Sequence, residues 1–371
     1  MNNKILYIGG FNFIKQNASA IRAIEIAKFF KKIDYEIIVS GKIINEEQYV
    51  EIEGINVFNI NEKKISKKDF SIDITTVVTY VRKLEPKIII AYNYPPIAFL
   101  KLLKFCKKNQ LILIPEITEW HGVDGKLTLM KFLRARLIDY KMYVLNKKCE
   151  KIIMATDYLS GFYRKSDQLL LPFVTVEKSN ESSLINSKTR NFIFAGTIGE
   201  NFSKDRLDVV LKAFEQIKES NFRIHIIGPS KEELFSTTVK DSLEALNNKI
   251  TLYGRLPNQE VLKILKHSDF VIFARDVKRI TKVGYPTKVF EAFRVGIPVI
   301  TNNTSNLDKH ILNKENGFLI ERLSVECFSN ALKSAIEMSA ENLSIMKRKC
   351  AQSNPFYYKN YIDETKNFLN K

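Results

Sequence analysis

Apolar residues along this chain recur in two alternating rhythms. Near the N-terminus "KILYIGG" is a short continuous apolar run ending in Gly9-Gly10, "ASAIRAIEIAKFFKK" repeats apolar positions at helical spacing, and "YEIIVSG" returns to a short run. Such runs are buried strands and the intervening spacing is an amphipathic helix, so the segment reads strand, helix, strand. The alternation continues through "KIIIAY", a helix around "IAFLKLLKFCKK", "QLILIPE", a long helix "LTLMKFLRARLIDYKMYVLN" and "KIIMAT". Strands separated by crossover helices predict a mainly parallel sheet covered on both faces.

After Phe173 the periodicity stops: "VTVEKSNESSLINSKTR" is polar and Ser/Asn-rich, which predicts an interdomain linker. The pattern then restarts with "NFIFAGTIG", "LDVVLKAFEQIKE", "FRIHIIG", a helix "EELFSTTVKDSLEAL", "KITLYG", "NQEVLKILKHS", "FVIFAR", "TKVFEAFRVG" and "IPVIT". The terminal "FYYKNYIDETKNFL" reads as a last helix, kinked near Pro355. At 371 residues the chain exceeds what one hydrophobic core fills. The expected division is a first doubly wound α/β domain over 1–175, a linker over 176–190, a second over 191–350, and a terminal helix over 351–371 packing back on the first. Ligands of such sheets bind at the carboxyl ends of the strands, so the two domains are expected to face each other across a ligand cleft.

A hydrophobic content of 45% with 27% charged residues describes a soluble globular protein. "MNNKILYIGG" turns polar within a dozen residues, so no export signal is expected, and the predicted location is the cytoplasm. The longest apolar segment, "IIIAYNYPPIAFLKLLKF", is broken by Pro95-Pro96 and Lys101 and fails as a membrane span. Cys106, Cys149, Cys327 and Cys350 stand alone, which predicts four buried thiols in a reducing compartment rather than a zinc site or disulfides. The net charge is +17, and positive charge is dense from Lys101 to Lys148, where Lys104, Lys107, Lys108, Lys126, Lys131, Arg134, Arg136, Lys141 and Lys147 face few acids. That density suits an anionic membrane surface or nucleic acid, or is a Lys-rich composition on a solvated face. No nucleic-acid reader motif accompanies it, which counts against a nucleic-acid-binding protein.

The chemistry concentrates in "GYPTKVFEAFRVGIPVITNN", Gly284 to Asn303. Pro286 suits the first position of a helix, and Gly284 permits a close approach or an unusual backbone angle. The N–H groups of Thr287 and Lys288 would then point out of the helix start, where an anion gains from the dipole, the free amides and the Lys288 ammonium. Glu291 lies one turn on and can accept both hydroxyls of a ribose, so the pair would hold a nucleotide by opposite ends. The alternative is an intrahelical ion pair between Lys288 and Glu291, worth a few tenths of a kcal/mol.

Together with "ENGFLI", this stretch resembles the donor region of family 4 retaining glycosyltransferases, two-domain enzymes of the GT-B fold. In that family a second Glu of a Glu, seven residues, Glu motif contacts the ribose. Glu291 matches it, whereas Val283 stands where the first would be. The Gly-aromatic-Pro-Thr-Lys spelling with an upstream Arg, here Arg275 or Arg279, is similar to a bacterial subset of the family. "FAGTIGENFSKDRLDVVLKAF" resembles the family's Gly-rich turn and helix, which implies that Gly199 and Lys204 lie near the donor diphosphate; Thr197 replaces the usual Arg after the first Gly. "IPEITEWHGVDGK" looks like the strand-end loop that reaches the transferred sugar, presenting Glu119 and His121.

Gly9-Gly10 lacks the Gly-x-Gly-x-x-Gly spacing of a dinucleotide fold. Gly10 is expected instead to let donor or acceptor come close, with Asn17, Ser19 and Arg22 at the following helix start. No Asp-x-Asp triplet occurs and His225, His267 and His310 lack ligand spacing, so neither a metal nor another cofactor is expected. The resemblance implies a retaining glycosyltransferase of bacterial surface polysaccharide synthesis. It would use a UDP- or GDP-sugar and a saccharide or lipid-linked saccharide acceptor. The rival enzyme reading is a sugar-nucleotide epimerase of the same fold, for which one His and one Glu supply few acid/base groups.

Overall fold

The computed structural model describes residues 3–14, 17–43, 49–59, 73–122, 128–179 and 189–370. The chain divides into two compact units: Met1–Val176 with Lys282–Tyr285 and Tyr357–Lys371, and Glu177–Thr281 with Pro286–Phe356.

The first unit contains β1 (Lys4–Gly9), α1 (Ala18–Lys32), β2 (Glu36–Gly41), β3 (Tyr49–Ile52), β4 (Ile55–Asn59), α2 (Thr75–Leu84), β5 (Ile88–Tyr92), α3 (Pro96–Lys108), β6 (Ile112–Ile117), α4 (Leu129–Tyr140), β7 (Lys151–Met154) and β8 (Asp167–Leu170). Its sheet runs β3-β4-β2-β1-β5-β6-β7-β8, parallel throughout except for β3 against β4. The central strands are apolar on both sides because one face packs on α1, through Ile24, Phe29 and Phe30, and the other on α2 and α3, through Val77, Phe99 and Leu102. Helix α1 begins where the Asn17 side chain accepts from the Ala20 N–H at 3.0 Å and ends on Lys31 and Lys32, each charge favourable to its end of the dipole.

The second unit contains β9 (Arg190–Ala195), α5 (Leu207–Glu215), β10 (Phe222–Ile227), α6 (Lys231–Phe235), α7 (Lys240–Ala245), β11 (Ile250–Gly254), α8 (Asn258–Lys266) and β12 (Phe270–Ile272). It continues with α9 (Arg279–Val283), whose last residues belong to the first unit, then α10 (Thr287–Arg294), β13 (Val299–Asn302), β14 (Gly317–Ile320), α11 (Val325–Glu337) and α12 (Ala340–Gln352). All strands are parallel in the order β11-β10-β9-β12-β13-β14. In each sheet the strand order reverses beside the first strand, at β1/β5 and at β9/β12, and ligands of open α/β sheets bind outside the strand ends at such points.

Several elements depart from the sequence reading. The helix expected over "EELFSTTVKDSLEAL" is two, α6 and α7, because Ser236 and Thr237 turn their hydroxyls onto the carbonyls of Glu233 and Leu234 and so compete with the helical ladder. The long helix after Leu127 ends as an α-helix at Tyr140 and continues as a π turn over Lys141–Leu145. Of the expected linker, residues 180–188 lie outside the described residues; before them, Glu177 pairs with Arg294 and Ser179 donates to the Phe293 carbonyl, which ties the segment to the second unit.

The terminal segment is not one kinked helix. Helix α12 stops at Gln352, a 3-10 turn covers Tyr358–Tyr361, and α13 (Ile362–Asn370) follows. The Tyr358 N–H donates to the Thr175 carbonyl, Lys151 Nζ donates to the carbonyls of Phe368 and Leu369, and Tyr361, Phe368 and Leu369 join the first unit's core. Residues 282–285, expected in the second domain, also pack with the first unit: Val283 is buried beside Ile117, Trp120 and Ile138. Cys106, Cys149 and Cys350 are buried thiols, while Cys327 is only half-buried.

Candidate functional site

In the second unit, β9 ends at Ala195 and the chain turns through Gly196, Thr197, Ile198 and Gly199 into α5. Gly196 has φ +148° and Gly199 φ +71°, backbone conformations that favour glycine. A Cβ on Gly196 would stand 2.4 Å from Lys288 Nζ, so the missing side chain is what lets the ammonium rest against this turn. Lys204 is exposed at the far end of the turn and its Nζ donates to Thr197 Oγ1 at 3.2 Å.

Under the turn lies Asp205, fully buried and held by two cations. Lys288 Nζ donates to Oδ2 at 2.6 Å and Arg275 Nε to Oδ1 at 2.8 Å. Burial alone would raise this carboxyl, but the two cations and their hydrogen bonds bring it down to about 2. Arg275 is fixed at its backbone as well, because its N–H donates to Asn302 Oδ1 and its carbonyl accepts from Asn302 Nδ2, both at 2.8 Å. The Lys288 ammonium lies 5.1 Å from the centre of the Phe194 ring. The lysine thus pairs with Asp205, 83 residues away in sequence, and not with Glu291.

Glu291 remains one turn along α10, where burial pushes its carboxyl up against the opposing pull of Lys288, Arg294 and Lys204. Three cations, Lys204, Arg275 and Lys288, therefore share the end of β9 with two carboxylates at the switch point of this sheet. Thr287 is the first residue of α10, whose leading N–H groups have no partner inside the helix. Two expectations are corrected here. Pro286 is the N-cap with φ −73° and ψ 119°, not the first helical residue. Gly284 is not among the positive-φ glycines, so the unusual backbone angle expected of it is not found, and it groups with the first unit.

In the first unit a cavity of about 300 Å³ opens at the β1/β5 switch point, with Gly10, Asn17, Ser19, Asn93, Glu119 and His121 in its wall. His121 Nε2 and Glu119 Oε2 are 2.8 Å apart. Between them Trp120 is buried and donates its Nε1–H to Asp139 at 2.8 Å, so the loop is pinned at its middle and both flanking side chains turn outward. Asn93, which also lines the cavity, has φ +40° and exchanges hydrogen bonds with Thr118. Lys141 brings a buried ammonium, donating to the Tyr94 carbonyl at 2.9 Å, and Arg134 also lines the space.

Arg22, expected near a ligand, is instead 2% exposed and engaged by Glu116 and by the carbonyls of Leu171 and Pro172; Tyr7 donates to the same Glu116. Its position on the inner face of α1 makes it a structural tie. Among the described residues no cluster of three or more His, Cys, Asp or Glu is placed to hold a metal. Sequence reasoning missed Asp205, Asn302 and Trp120. An acid beside Lys204 looks like an ordinary surface residue, and nothing local shows that its cationic partners arrive 70 and 83 residues later. Trp120 carried a readable signal, as the chain's one tryptophan set between Glu119 and His121.

The family model described as glycosyl transferases group 1 matches residues 175–352. No curated protein matches the chain in sequence. Among solved structures, the chain is similar to a sucrose-phosphate synthase from Thermosynechococcus elongatus, at 10% identity and a TM-score of 0.75, over 99% of this chain and 98% of that one. It is similar to a glycosyltransferase from Rickettsia africae (13%, TM-score 0.69, 99% of each chain) and to the Anabaena protein HepE, solved with UDP and glucose (13%, TM-score 0.67, 99% of each chain). The fold is GT-B, and residues 175–352 carry the group 1 glycosyl transferase pattern.

Proposed function

We propose that this glycosyltransferase moves a sugar from a UDP- or GDP-sugar to a saccharide or lipid-linked saccharide acceptor, with retention of anomeric configuration, in bacterial surface polysaccharide synthesis. The observation that carries the reading is the cluster of Lys204, Arg275 and Lys288 around the Gly196–Gly199 turn, with Glu291 one helical turn beyond Lys288. A diphosphate leaving a sugar gains negative charge, and fixed cations aimed at it supply the electrostatic help that dominates such reactions. Asp205 and Asn302 hold two of those cations in place before any ligand arrives, so little reorganisation accompanies binding. Glu291 accepts from the ribose hydroxyls. In the first unit Glu119 orients His121, which positions the transferred sugar. The similarity to HepE, whose structure contains UDP and glucose, favours a nucleotide-sugar donor. The basic stretch from Lys101 to Lys148 faces an anionic membrane in this reading.

Calorimetry with UDP, GDP and the corresponding nucleosides tests the donor assignment. Glu291→Ala is expected to weaken nucleoside and nucleoside diphosphate alike, and Lys288→Ala the diphosphate alone. Each loss is that of a charge-assisted hydrogen bond, about ten- to a hundredfold in affinity. Unchanged affinities in both variants would remove the donor site from α10.

A further inference from the structure

Helix α4 is apolar on the side that packs and on the side that does not. Ala135 and Ile138 are buried, yet Leu129, Phe132, Leu133 and Tyr140 project from the opposite face, together with Arg136, inside an arc of about 100° at the helical advance of about 100° per residue. Tyr143 and Val144 continue the exposed strip into the π turn. Leu129 is 73% exposed. Seven of the twelve exposed large apolar side chains among the described residues lie between Leu129 and Val144, so this is a patch and not the usual scatter.

The surroundings of the strip are basic. Arg136 lies within it, Lys147 and Lys148 are exposed just beyond its end, and the neighbouring α3, which packs against α4, exposes Lys101, Lys104, Lys107 and Lys108. The one acid of α3 and α4 is Asp139, half-buried and engaged by Trp120. A protein partner with an acidic rim would satisfy the charge as well, and vesicle binding that fails at low salt would favour it. Aromatic and long aliphatic residues standing between lysines and arginines match the headgroup boundary of an anionic bilayer, where rings sit at the interface and cations meet lipid phosphates. Among the described residues no helix is long and apolar enough to cross a membrane.

We propose that the α4 strip, flanked by the α3 lysines, is an anionic-lipid docking surface on which the first unit lies flat, with Leu129, Phe132, Leu133 and Tyr140 entering the headgroup region. Its purpose rests on the reading that the acceptor is lipid-linked; its existence does not. Docking would present the cavity of Glu119 and His121, whose wall shares Arg134, Ile138 and Lys141 with the same helix and turn, to acceptors held in the leaflet.

Co-sedimentation of the full chain with phosphatidylglycerol/phosphatidylcholine vesicles, against pure phosphatidylcholine, is the test. Binding is expected only to the anionic vesicles and is expected to fall steeply with salt. Leu133→Glu should lower it at least about tenfold, since one large apolar contact is exchanged for a repelled charge. Lys147→Gln with Lys148→Gln should lower it about tenfold or more at low salt. Leu129→Ser, at the most exposed position, guards against a folding artefact and should lower binding with no change in melting temperature. Binding equal on neutral and anionic vesicles, binding unaffected by all three variants, or no binding at low salt would each overturn the proposal. So would light scattering that shows a dimer broken by Leu133→Glu, because the strip would then be covered by a second copy. UDP and GDP titrations on the same variants keep the two questions apart: lost vesicle binding with retained nucleotide binding bears on the surface alone, and absent nucleotide binding in the parent bears on the transferase reading alone.

Discussion

Replacing Asp205 by Asn keeps the shape of the buried side chain and removes its charge, leaving Arg275 and Lys288 side by side without their shared counter-ion. In the parent this fully buried carboxyl titrates at about 2 against an ordinary 3.8. At about 1.36 kcal/mol per pH unit the difference corresponds to roughly 2 to 3 kcal/mol of folding stability. Because the folded value is depressed, that stability is present above about pH 4 and is lost as the pH falls through about 2. Breaking a buried ion pair from one side costs about 3–5 kcal/mol in general, so the figure from titration is the lower of the two. For a unit of this size about 2–4 °C of melting temperature accompanies each kcal/mol, and Asp205→Asn is expected to melt about 5–10 °C below the parent at pH 7. The gap should narrow as the pH is lowered below about 4. A nucleoside diphosphate should raise the variant's melting temperature more than the parent's, since its charge replaces the missing carboxylate. Differential scanning calorimetry over a pH series, with and without UDP or GDP, decides the matter. A variant that melts with the parent, or a gap that stays constant down to pH 2, would refute the reasoning.

Two further outcomes follow from the site geometry. His121→Ala should lower kcat at least about tenfold while changing the affinity of free nucleotide less than about twofold, as steady-state kinetics beside a nucleotide titration would show; equal activity would leave His121 a structural residue. Gly196→Ala places a Cβ against Lys288 Nζ at φ +148°, so it should cost about 1–3 kcal/mol of stability in thermal unfolding and weaken UDP or GDP while leaving the nucleoside unaffected. Full diphosphate affinity in that variant would mean that the ammonium need not rest on the turn.

The parts of the fold readable in the sequence were those built from strong local patterns. Helix α1 falls on Ala18–Lys32 as its spacing predicts, because its core face is continuous. The β3–β4 hairpin escaped because "YVEIEGINVFN" alternates with acids and sits at a sheet edge where one side meets water. Candidate site residues could be picked out of the sequence where they lie in one stretch, as with Thr287, Lys288 and Glu291. The site was opaque where partners come from separate strand ends: Asp205, Arg275 and Asn302 meet only because β9, β12 and β13 are adjacent in the sheet, a fact no local pattern contains. Arg22 shows the converse error, since a basic residue near a helix start looked like a ligand contact and proved to be a buried tie to Glu116.

The placement of α13 bears on how the chain is made. Strands β1 to β8 leave the ribosome first, but the core they bury is completed by Val283 and by Tyr361, Phe368 and Leu369. The residues of the second unit end at Phe356. Synthesis therefore delivers the complete set of residues for the later-encoded unit before that for the earlier one, the reverse of the usual N-terminal-first order. Until residue 370 has emerged, the inner face that α13 covers is exposed apolar surface and the Lys151 ammonium lacks its two carbonyls. A fragment ending near residue 175 therefore leaves that apolar face uncovered.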